Sequence, residues 1–468
     1  MEVRSVTGQA TRSYAKGAAP KALPVLGHAH QLRSDPLSFL RSLPEQGDLV
    51  KIMVGPTPMY IACHPDLVHE MLTDKVKDFV KGGPVMDRVR TVLGDGLVTV
   101  DGLVHRKQRR LIQPSFHPAR IAEYVGIMQK QAAASAHEWP EGQNVDLLMQ
   151  MGNLSADVAL SCLFSEPGEG EVRRGGHHGL PKALNTVIDG MFFRMLNPLP
   201  ALSFLPTPGN QRYKRAEAQL HEVVNETIDR YRRSGDGGGL LRTMMTEVDA
   251  DGHRFTDQEL HDQSITLLLG GAETTAVLMS WIFHLLHENP QVAAKLHAEL
   301  DEVLAGRPVT AEDLGKLPYT RNVVAEGLRL YPPAWLLSRR AAVDTTLGGL
   351  PVPAGTELSY SPFLLNRDAR YFDAPDSFEP DRWLTMSTTP RKGAYLPFGA
   401  GNRKCIGDVF ALTEAQVIVA TVAQYWKLDR APGTRPTRAL VRMSLRPDQL
   451  TVVPTRRQSA REPQSAAS

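Results

Sequence analysis

Hydrophobic residues recur along most of the chain with the three-to-four-residue spacing of amphipathic helices. This spacing predicts two long apolar helices, one over Thr256–Asn289 and one over Val409–Trp426. The first has clear end signals, because Thr256 and Glu259 form a capping-box pattern and Pro290 cannot continue the run. At about 1.5 Å per residue, a helix of this length is roughly 50 Å long, enough to cross a whole domain.

Shorter segments extend the helical pattern, and a few segments have the character of strands. Further helices are predicted over Asp35–Leu43, His64–Thr73, His105–Arg110, Ile121–Trp139, Val145–Phe164, Pro181–Met195, Lys214–Arg232 and Asn322–Leu330. Strands are predicted around the Gly-Pro turn within Asp48–Cys63, as hairpins over Leu347–Ser361, and over Leu440–Val453. The expected fold class is therefore mainly α with a small β-rich part.

Two stretches fit neither pattern. Phe79–Gly102 mixes glycines with scattered apolar residues, and it is read either as a pocket wall or as a plain surface loop. Asn197–Pro208 is rich in proline and cannot continue a helix, and the segment around it is strongly apolar. Its apolar residues either cover a pocket or pack in the core.

Composition narrows the class of protein. The chain has 468 residues, 42% of them hydrophobic, so it can bury a large core, and its formal charge of only +2 argues against nucleic-acid binding. Its three cysteines, Cys63, Cys162 and Cys405, form no close pair, which disfavours a zinc site or a disulfide framework and fits a reducing compartment. We expect a cytoplasmic protein without a membrane span, with a flexible tail over 1–22, a single domain over 23–455 and a disordered tail over 456–468.

The first stretch that carries chemistry is Phe398-Gly-Ala-Gly-Asn-Arg-Lys-Cys-Ile-Gly407. Its cysteine, Cys405, lies just before the helix predicted over Val409–Trp426, where the helix dipole and free backbone N–H groups stabilise a thiolate. Gly399, Gly401 and Gly407 allow turns and close backbone approach, and Phe398 is placed to cover one side of the sulfur. A thiolate shielded in this way can hold iron axially, whereas the alternative is a buried cysteine after a glycine turn.

The second stretch is Gly270-Gly-Ala-Glu-Thr274-Thr275, in the middle of the helix over Thr256–Asn289. Glycine weakens a helix centre, and a threonine that bonds the carbonyl one turn back opens the helix locally, which makes room for dioxygen and water. Glu273 and Thr274 supply an acid and an alcohol, the parts of a proton relay. The alternative is a helix crossing built on small residues.

Two sets of charged residues complete the candidates. His105 and Arg109 are four residues apart, so they share a helix face that suits an anion, unless this is a solvated basic face. Glu326 and Arg329 are three apart and pair on one face, and Arg382 can join them. We assign that cluster a structural role, since buried ions are best understood as fixing one geometry.

Taken together, these motifs closely resemble those of the cytochrome P-450 family. The cysteine loop matches Phe-x-x-Gly-x-Arg-x-Cys-x-Gly, and ahead of it, in the family's order, come the Gly-Gly-Ala-Glu-Thr, Glu-x-x-Arg and Phe-x-Pro-x-Arg motifs. The resemblance covers residues 23–454 or so. It implies the cytochrome P-450 fold, a helical prism around haem, with the haem between the long helix and the cysteine loop.

The resemblance also implies roles for individual residues. Cys405 is the expected axial ligand of the iron in haem b, and Glu273 and Thr274 are the expected proton-managing pair. The remaining expected haem contacts are His105, Arg109, Arg339, Phe398 and Arg403. Arg340 competes with Arg339, which is preferred by its spacing to Asp344. Asn197–Pro208 corresponds to a mobile lid.

The implied reaction inserts one atom of O2 into a small hydrophobic substrate and releases the other as water. Nothing in the sequence resembles a flavin or iron–sulfur domain, so the electrons are expected from a separate ferredoxin and ferredoxin reductase that use NAD(P)H. The exposed basic residues Arg106, Lys107, Arg110 and Lys404 suit an acidic electron-transfer partner.

The substrate prediction rests on weaker signals. The candidate pocket residues are apolar: Val85, Met86, Val89, Met191, Phe192, Leu268, Trp335, Leu336, Leu337 and Leu445. Met443 to Leu445 are also expected to reach the pocket. The Arg106–Phe116 and Tyr331–Trp335 segments are similar to bacterial oxygenases of cyclic sesquiterpenes, which predicts a terpenoid of secondary metabolism. The alternatives are a fatty-acid hydroxylase, with Arg88 or Arg90 as anchor, a peroxide-using haem-thiolate enzyme, or a haem sensor.

Overall fold

A computed structural model describes residues 12–164, 179–196, 205–234, 239–249, 252–385 and 393–457. Helices dominate this part of the chain. They are α1 (Ala29–Ser34), α2 (Pro36–Ser42), α3 (Pro65–Leu72), α4 (Pro84–Leu93), α5 (Gly102–Ile112), α6 (Pro118–His137), α7 (Leu147–Phe164), α8 (Leu180–Leu196), α9 (Pro208–Ser234), α10 (Gly239–Thr246), α11 (Asp257–Glu288), α12 (Pro290–Leu304), α13 (Pro318–Leu330), α14 (Pro362–Leu365), α15 (Arg382–Thr385) and α16 (Asp408–Tyr425).

The strands are short and form small sheets. They are β1 (Lys16–Ala18), β2 (Leu49–Val54), β3 (Thr57–Ala62), β4 (Phe79–Val80), β5 (Val145–Asp146), β6 (Leu337–Ala341), β7 (Thr345–Leu347), β8 (Leu350–Val352), β9 (Glu357–Tyr360), β10 (Trp426–Arg430), β11 (Ala439–Val441), β12 (Leu445–Pro447) and β13 (Thr451–Arg456). The largest sheet has the order β1-β2-β3-β9-β6-β4, and β10, β13 and β5 form a second. Two hairpins, β7–β8 and β11–β12, complete the β structure, so the predicted fold class is confirmed.

Helix α11 is the central element of the helical core. It begins at the predicted capping box, where Thr256 Oγ1 accepts from the Glu259 backbone N–H and the Glu259 carboxylate accepts from the Thr256 N–H. Its apolar residues are buried on several sides, because α7, α9, α13 and α16 all pack against it. A helix that is apolar around its circumference is stable only inside the molecule, and α11 accordingly runs through the interior of the domain.

Helices α7 and α11 are long and apolar enough to cross a membrane. In the most apolar 18-residue stretch of each helix, 50% of the α7 residues and 72% of the α11 residues are buried inside the protein. Much of their apolar surface is therefore covered by other helices of the core.

Three predictions about segments need correction. The N-terminal tail does not extend to residue 22, because β1 pairs in parallel with β2 and Tyr14 bonds Asp66. The C-terminal tail does not begin at residue 456, which ends β13. Phe79–Gly102 is not irregular throughout, since it contains β4 and α4, the latter started by Pro84. The predicted lid over Asn197–Pro208 lies mostly outside the described residues.

Candidate active site

The cysteine loop directly precedes α16 and is closed by a backbone hydrogen bond. A short 3-10 helix over Gly401–Arg403 leads to Cys405, whose backbone N–H donates to the Phe398 carbonyl at 2.9 Å. The next residues carry the chain into α16, with Gly407 at the N-cap. The sulfur thus lies at the predicted place, just ahead of a helix N-terminus.

The charge on this thiol is set by opposing effects. Burial raises the pKa of Cys405 above its usual value and Asp408 adds to the rise, while a hydrogen bond from the Gly407 backbone and the positive charges of Arg109 and Lys81 offset part of it. Each of the lowering effects favours a thiolate, the form of cysteine that binds metals.

The loop needs glycine at two of the three predicted positions. Gly399 and Gly401 have φ angles of +70° and +67°, a region that side chains rarely adopt. A Cβ on Gly401 would also lie 1.9 Å from the Leu72 carbonyl oxygen. Gly407 has an ordinary φ of −93°, which any residue can adopt, but its backbone approaches the sulfur closely enough to hydrogen-bond it, as predicted.

The predicted basic helix face is present on α5. His105 is buried, whereas Arg106, Lys107 and Arg110 are exposed, as expected for residues on other faces. Arg109 reaches across to the cysteine loop, where its Nη1 donates to the Lys404 carbonyl at 2.7 Å. Burial, with help from the charges of Lys81 and Arg109, lowers the pKa of His105 to about 4.

The choice between Arg339 and Arg340 follows from strand geometry. Adjacent residues of β6 point to opposite faces of the sheet. Arg339 is 6% exposed and lies over the Tyr360 ring at 5.9 Å, whereas the exposed Arg340 forms an ion pair with Glu357 at 3.6 Å. The preference for Arg339 as the inward-facing cation is therefore supported, although its role as a cofactor ligand remains a prediction.

A further cation, Lys81, was missed because a lone lysine before two glycines carries no motif. It follows β4, and its backbone N–H donates to the Asp101 carboxylate at 3.0 Å. Burial and the charges of Arg339, Arg403 and Arg109 lower the pKa of Lys81 to about 7, while Cys405 opposes them. Lys81 therefore shares the electrostatic environment of the other candidate residues.

This cluster fits a cofactor that carries carboxylates. Arg403 pairs with Asp101, yet its Nη1 is buried with no hydrogen-bond partner among the described residues, and burial lowers the pKa of Arg403 to about 10. A buried guanidinium N–H without a partner is costly. Convergence of cations on one place beside Cys405 suits an anionic group, which would restore their charged forms.

The small residues at the centre of α11 serve both predicted purposes, a helix crossing and an open space. A Cβ on Gly271 would contact Ala159 of α7 at 3.7 Å, which is a helix crossing, whereas a Cβ on Gly270 would meet open space. Thr274 Oγ1 donates to the Gly270 carbonyl at 2.7 Å, as predicted. The helix nevertheless stays continuous through this region, so the space lies beside Gly270 and not in a break of α11.

Glu273 does not face the same way as Thr274, because consecutive helix residues are about 100° apart. Its carboxylate accepts a hydrogen bond from Ser444 Oγ at 2.7 Å. Burial raises the pKa of Glu273 to about 7, although Ser444 and Arg446 act in the opposite direction. Ser444 belongs to the segment 443–445 that is predicted to reach the pocket, and its observed contact is with Glu273.

The cluster predicted to be structural is a buried network. The Glu326 carboxylate accepts from Arg329 at 2.8 and 2.9 Å, from Arg382 Nε at 2.9 Å and from Trp383 Nε1 at 2.9 Å. Arg329 also donates to backbone carbonyls of Asn366, Pro375 and Ser377. The network thus ties α13 to the segment that leads to the cysteine loop.

Five of the ten predicted pocket residues are buried, and four are partly buried. Leu268, Met191, Phe192, Val89 and Leu445 belong to the core, while the side chain of Val85 lies outside the described residues. Trp335 is fixed by its Nε1, which donates to the Arg442 carbonyl at 3.0 Å. Arg442 in turn lies against the rings of Phe192 and Phe193.

Comparison with known proteins agrees with this geometry. The Cytochrome P450 family model matches residues 18–454. The chain is 45% identical to cyclooctat-9-en-7-ol 5-monooxygenase of Streptomyces melanosporofaciens, over 90% of its own length and 92% of that protein. It is 41% identical to cyclooctatin synthase of the same organism, over 97% of its own length and 98% of that protein. It is 40% identical to pentalenene oxygenase of Streptomyces avermitilis, over 90% of its length and 93% of that protein.

A crystal structure of the cytochrome P450DA heme domain has a TM-score of 0.85 and 28% identity, and covers 96% of this chain and 99% of that one. Fold and cysteine site together define a protein of the haem-thiolate class. The chain belongs to the cytochrome P450 family and is a monooxygenase. The predicted family and fold are confirmed, whereas the roles of individual site residues remain predictions.

Proposed function

We propose that this monooxygenase inserts one oxygen atom into a cyclic terpenoid of secondary metabolism. The observation that carries the proposal is the similarity, over nearly the whole chain, to three Streptomyces oxygenases whose names refer to pentalenene, cyclooctatin and cyclooctat-9-en-7-ol. The last of these names describes an alcohol that is oxidised again. The substrate is therefore a cyclic sesquiterpene or another cyclic terpenoid, as a hydrocarbon or as an alcohol.

The residues of the site have the following proposed roles. Cys405 holds the iron of haem b, and Phe398 covers one side of the sulfur. The cofactor carboxylates are bound by the cationic cluster, to which the structure adds a candidate: His105, Arg109, Arg339, Arg403 and Lys81. Haem supplies the redox chemistry of O2 activation when bound, and an anionic thiolate ligand favours O–O cleavage.

The protein's own contribution is proton management and shielding. Thr274 presents a hydroxyl beside the open space at Gly270, where it can orient a water or dioxygen. Glu273, with a pKa of about 7, can give and regain a proton near neutral pH. The buried apolar side chains of α8 and α11 exclude bulk water from the substrate.

An acid–alcohol pair favours the O2-dependent reaction over the peroxide-using alternative, which does not need one. Both anchors named for the fatty-acid alternative have partners: Arg88 donates to the Arg194 carbonyl at 3.3 Å, and Arg90 is paired with Asp95 at 3.2 Å and donates to the Thr99 carbonyl. The charge of Arg90 is thus already engaged.

The proposed electron donors are a ferredoxin and its NAD(P)H-dependent reductase in the cytoplasm. Arg106, Lys107 and Arg110 are exposed on α5, the helix whose Arg109 contacts the cysteine loop, and Lys404 is exposed in that loop. This positive face supports docking of an acidic partner close to Cys405.

A binding and turnover panel tests the substrate class. The loaded enzyme is titrated with cyclic sesquiterpenes, larger cyclic terpenoids, their alcohols and fatty acids, and the low-to-high-spin shift is recorded. Products are then measured with ferredoxin, reductase and NAD(P)H, or with peroxide alone. We expect a cyclic terpenoid to give the shift and a product that requires O2 and NAD(P)H. A shift and product only with fatty acids, or full activity with peroxide alone, would reject the proposal.

A further inference from the structure

The β11–β12 hairpin contacts α11 at the acidic residue of its central motif. Ser444, in the turn of this hairpin, is 2% exposed, and its Oγ donates to Glu273 Oε1 at 2.7 Å. Neighbouring bonds fix its position: the Arg442 N–H donates to the Ser444 carbonyl at 3.0 Å, and Trp281 Nε1 donates to the Leu445 carbonyl at 2.7 Å. The backbone at Ser444 and Leu445 is therefore held in place by these two bonds.

Glu273 also lies at the wall of a partly open cleft. The cleft has a volume of about 260 Å³ and lies between α7, α8 and α11, with Arg446 of β12 at its edge. Glu273 is among its lining residues and Thr274 is not. The Glu273 carboxyl thus belongs to the side of α11 that faces the cleft, whereas Thr274 presents its hydroxyl on another side.

Charges of two elements face this carboxyl. Arg446 of β12 forms an ion pair with Asp189 of α8 at 3.1 Å, across the cleft. Asp189 raises the pKa of Glu273, and Ser444 and Arg446 lower it, against a larger raising effect of burial. The result, about 7, is the range in which a carboxyl exchanges protons readily at neutral pH.

We propose that Ser444 is a positioning residue that holds the Glu273 carboxyl at the inner end of this cleft for proton delivery. Glu273 gives one proton toward the Thr274 side and regains one proton from water in the cleft, so that it returns to its starting state. The inference rests on the proposed relay role of Glu273. It adds the residue that orients the acid.

The test compares Ser444→Ala, which removes the hydroxyl, with Ser444→Thr, which keeps it. Ser280→Ala is the matched control, because Ser280 is also a buried serine at α11 but bonds only the Ala276 carbonyl of its own helix at 2.8 Å. Two quantities are measured against pH: product formed per NAD(P)H consumed, and the infrared C=O band of protonated Glu273, assigned by its absence in Glu273→Gln.

In Ser444→Ala we expect the infrared midpoint to rise by about one pH unit, because a hydrogen bond to the ionised carboxylate is lost. Product per NAD(P)H should fall about tenfold with more hydrogen peroxide released, since the acid is no longer aimed. Ser444→Thr should restore both quantities, and Ser280→Ala should change neither.

The outcomes separate the two levels of the proposal. If Glu273→Gln keeps full coupling, the relay role of Glu273 is wrong. If Glu273→Gln uncouples while Ser444→Ala keeps the wild-type midpoint and coupling, the relay stands and the role of Ser444 is rejected. Equal losses in Ser444→Ala and Ser280→Ala would show a packing effect and would also reject it.

Discussion

At the scale of single residues, the site depends on where each cation points. Arg339 and Arg340 are neighbours in β6 with the same chemistry, yet Arg339 is buried over the Tyr360 ring and Arg340 is exposed beside Glu357. The difference arises from the two-residue period of a strand, which sends consecutive side chains to opposite faces. The pair therefore offers a test of the cofactor site with a built-in control.

We expect Arg339→Gln to weaken haem retention and Arg340→Gln to leave it near wild type. Loss of one charge-assisted hydrogen bond of about 1.5–3 kcal/mol should speed haem release about tenfold or more. The measurement is the rate of haem transfer to an apo-globin acceptor, with circular dichroism to verify that both variants are folded. Equal release rates in the two variants would contradict the assignment of Arg339.

The limits of sequence inference are also visible at this scale. Cys405, His105, Arg109 and Arg403 could be found because motif spacing places them. Lys81 could not, because it comes from a distant segment that only the folded chain brings to the site. The segment of Ser444 is expected to reach the pocket, but its hydrogen bond to Glu273 is not predicted by the sequence. A lone lysine after a two-residue strand, or a serine in a hairpin turn, has no local pattern that marks its partner.

At the scale of elements, a buried ionic network links α13 to the approach of the cysteine loop. Glu326 and Arg329 are fully buried, and Arg382 shares the same carboxylate. Such a network is costly to assemble, and it becomes strongly destabilising when one partner is removed and the others are left unpaired. Its value lies in the single geometry that it imposes.

We expect Glu326→Ala to lower the free energy of unfolding by about 3–5 kcal/mol, because it leaves two buried guanidinium groups without their carboxylate. Glu379→Ala is the control: this carboxylate pairs with the same Arg382 at 3.2 Å but is 49% exposed. An exposed pair contributes about 0–1 kcal/mol. Chemical denaturation of both variants measures the difference, and similar losses would contradict a buried network.

Helix positions could largely be predicted from sequence, since α11 has both a capping box and a terminating proline. The errors fell where local patterns are weak. The strand β1 is three residues long and forms only because β2 lies beside it. Within Phe79–Gly102, the elements β4 and α4 are short and lie next to glycines that obscure their pattern. Tertiary pairing, which no local pattern records, decides such segments.

At the scale of the whole molecule, one buried acid lies where helices α7, α11 and α16 meet. Glu414 of α16 is buried, and its carboxyl bonds Ser155 of α7 at 3.1 Å. Burial raises its pKa to about 8, although hydrogen bonds from Thr275 of α11 and from Ser155 lower it. The folded protein therefore holds a neutral acid at the junction of α7, α11 and α16.

This burial predicts a pH dependence of stability. Because the folded-state pKa exceeds the unfolded one, the folded form binds more protons, and stability falls as pH rises from about 5 toward about 8, by up to about 1.4 kcal/mol per unit. Glu414→Gln cannot ionise, so its advantage over wild type should grow across this window. Denaturation midpoints of both proteins at several pH values measure it, and a constant difference would contradict the prediction.

The central claim, thiolate ligation by Cys405, is tested most directly by the absorption spectrum of the reduced carbon monoxide adduct. The wild-type protein should show the strongly red-shifted band of a thiolate-ligated haem, and Cys405→His should lose that band while Cys162→Ala, at a buried cysteine in α7, should keep it. A wild-type spectrum without the band, or a Cys405→His spectrum that retains it, would contradict the account.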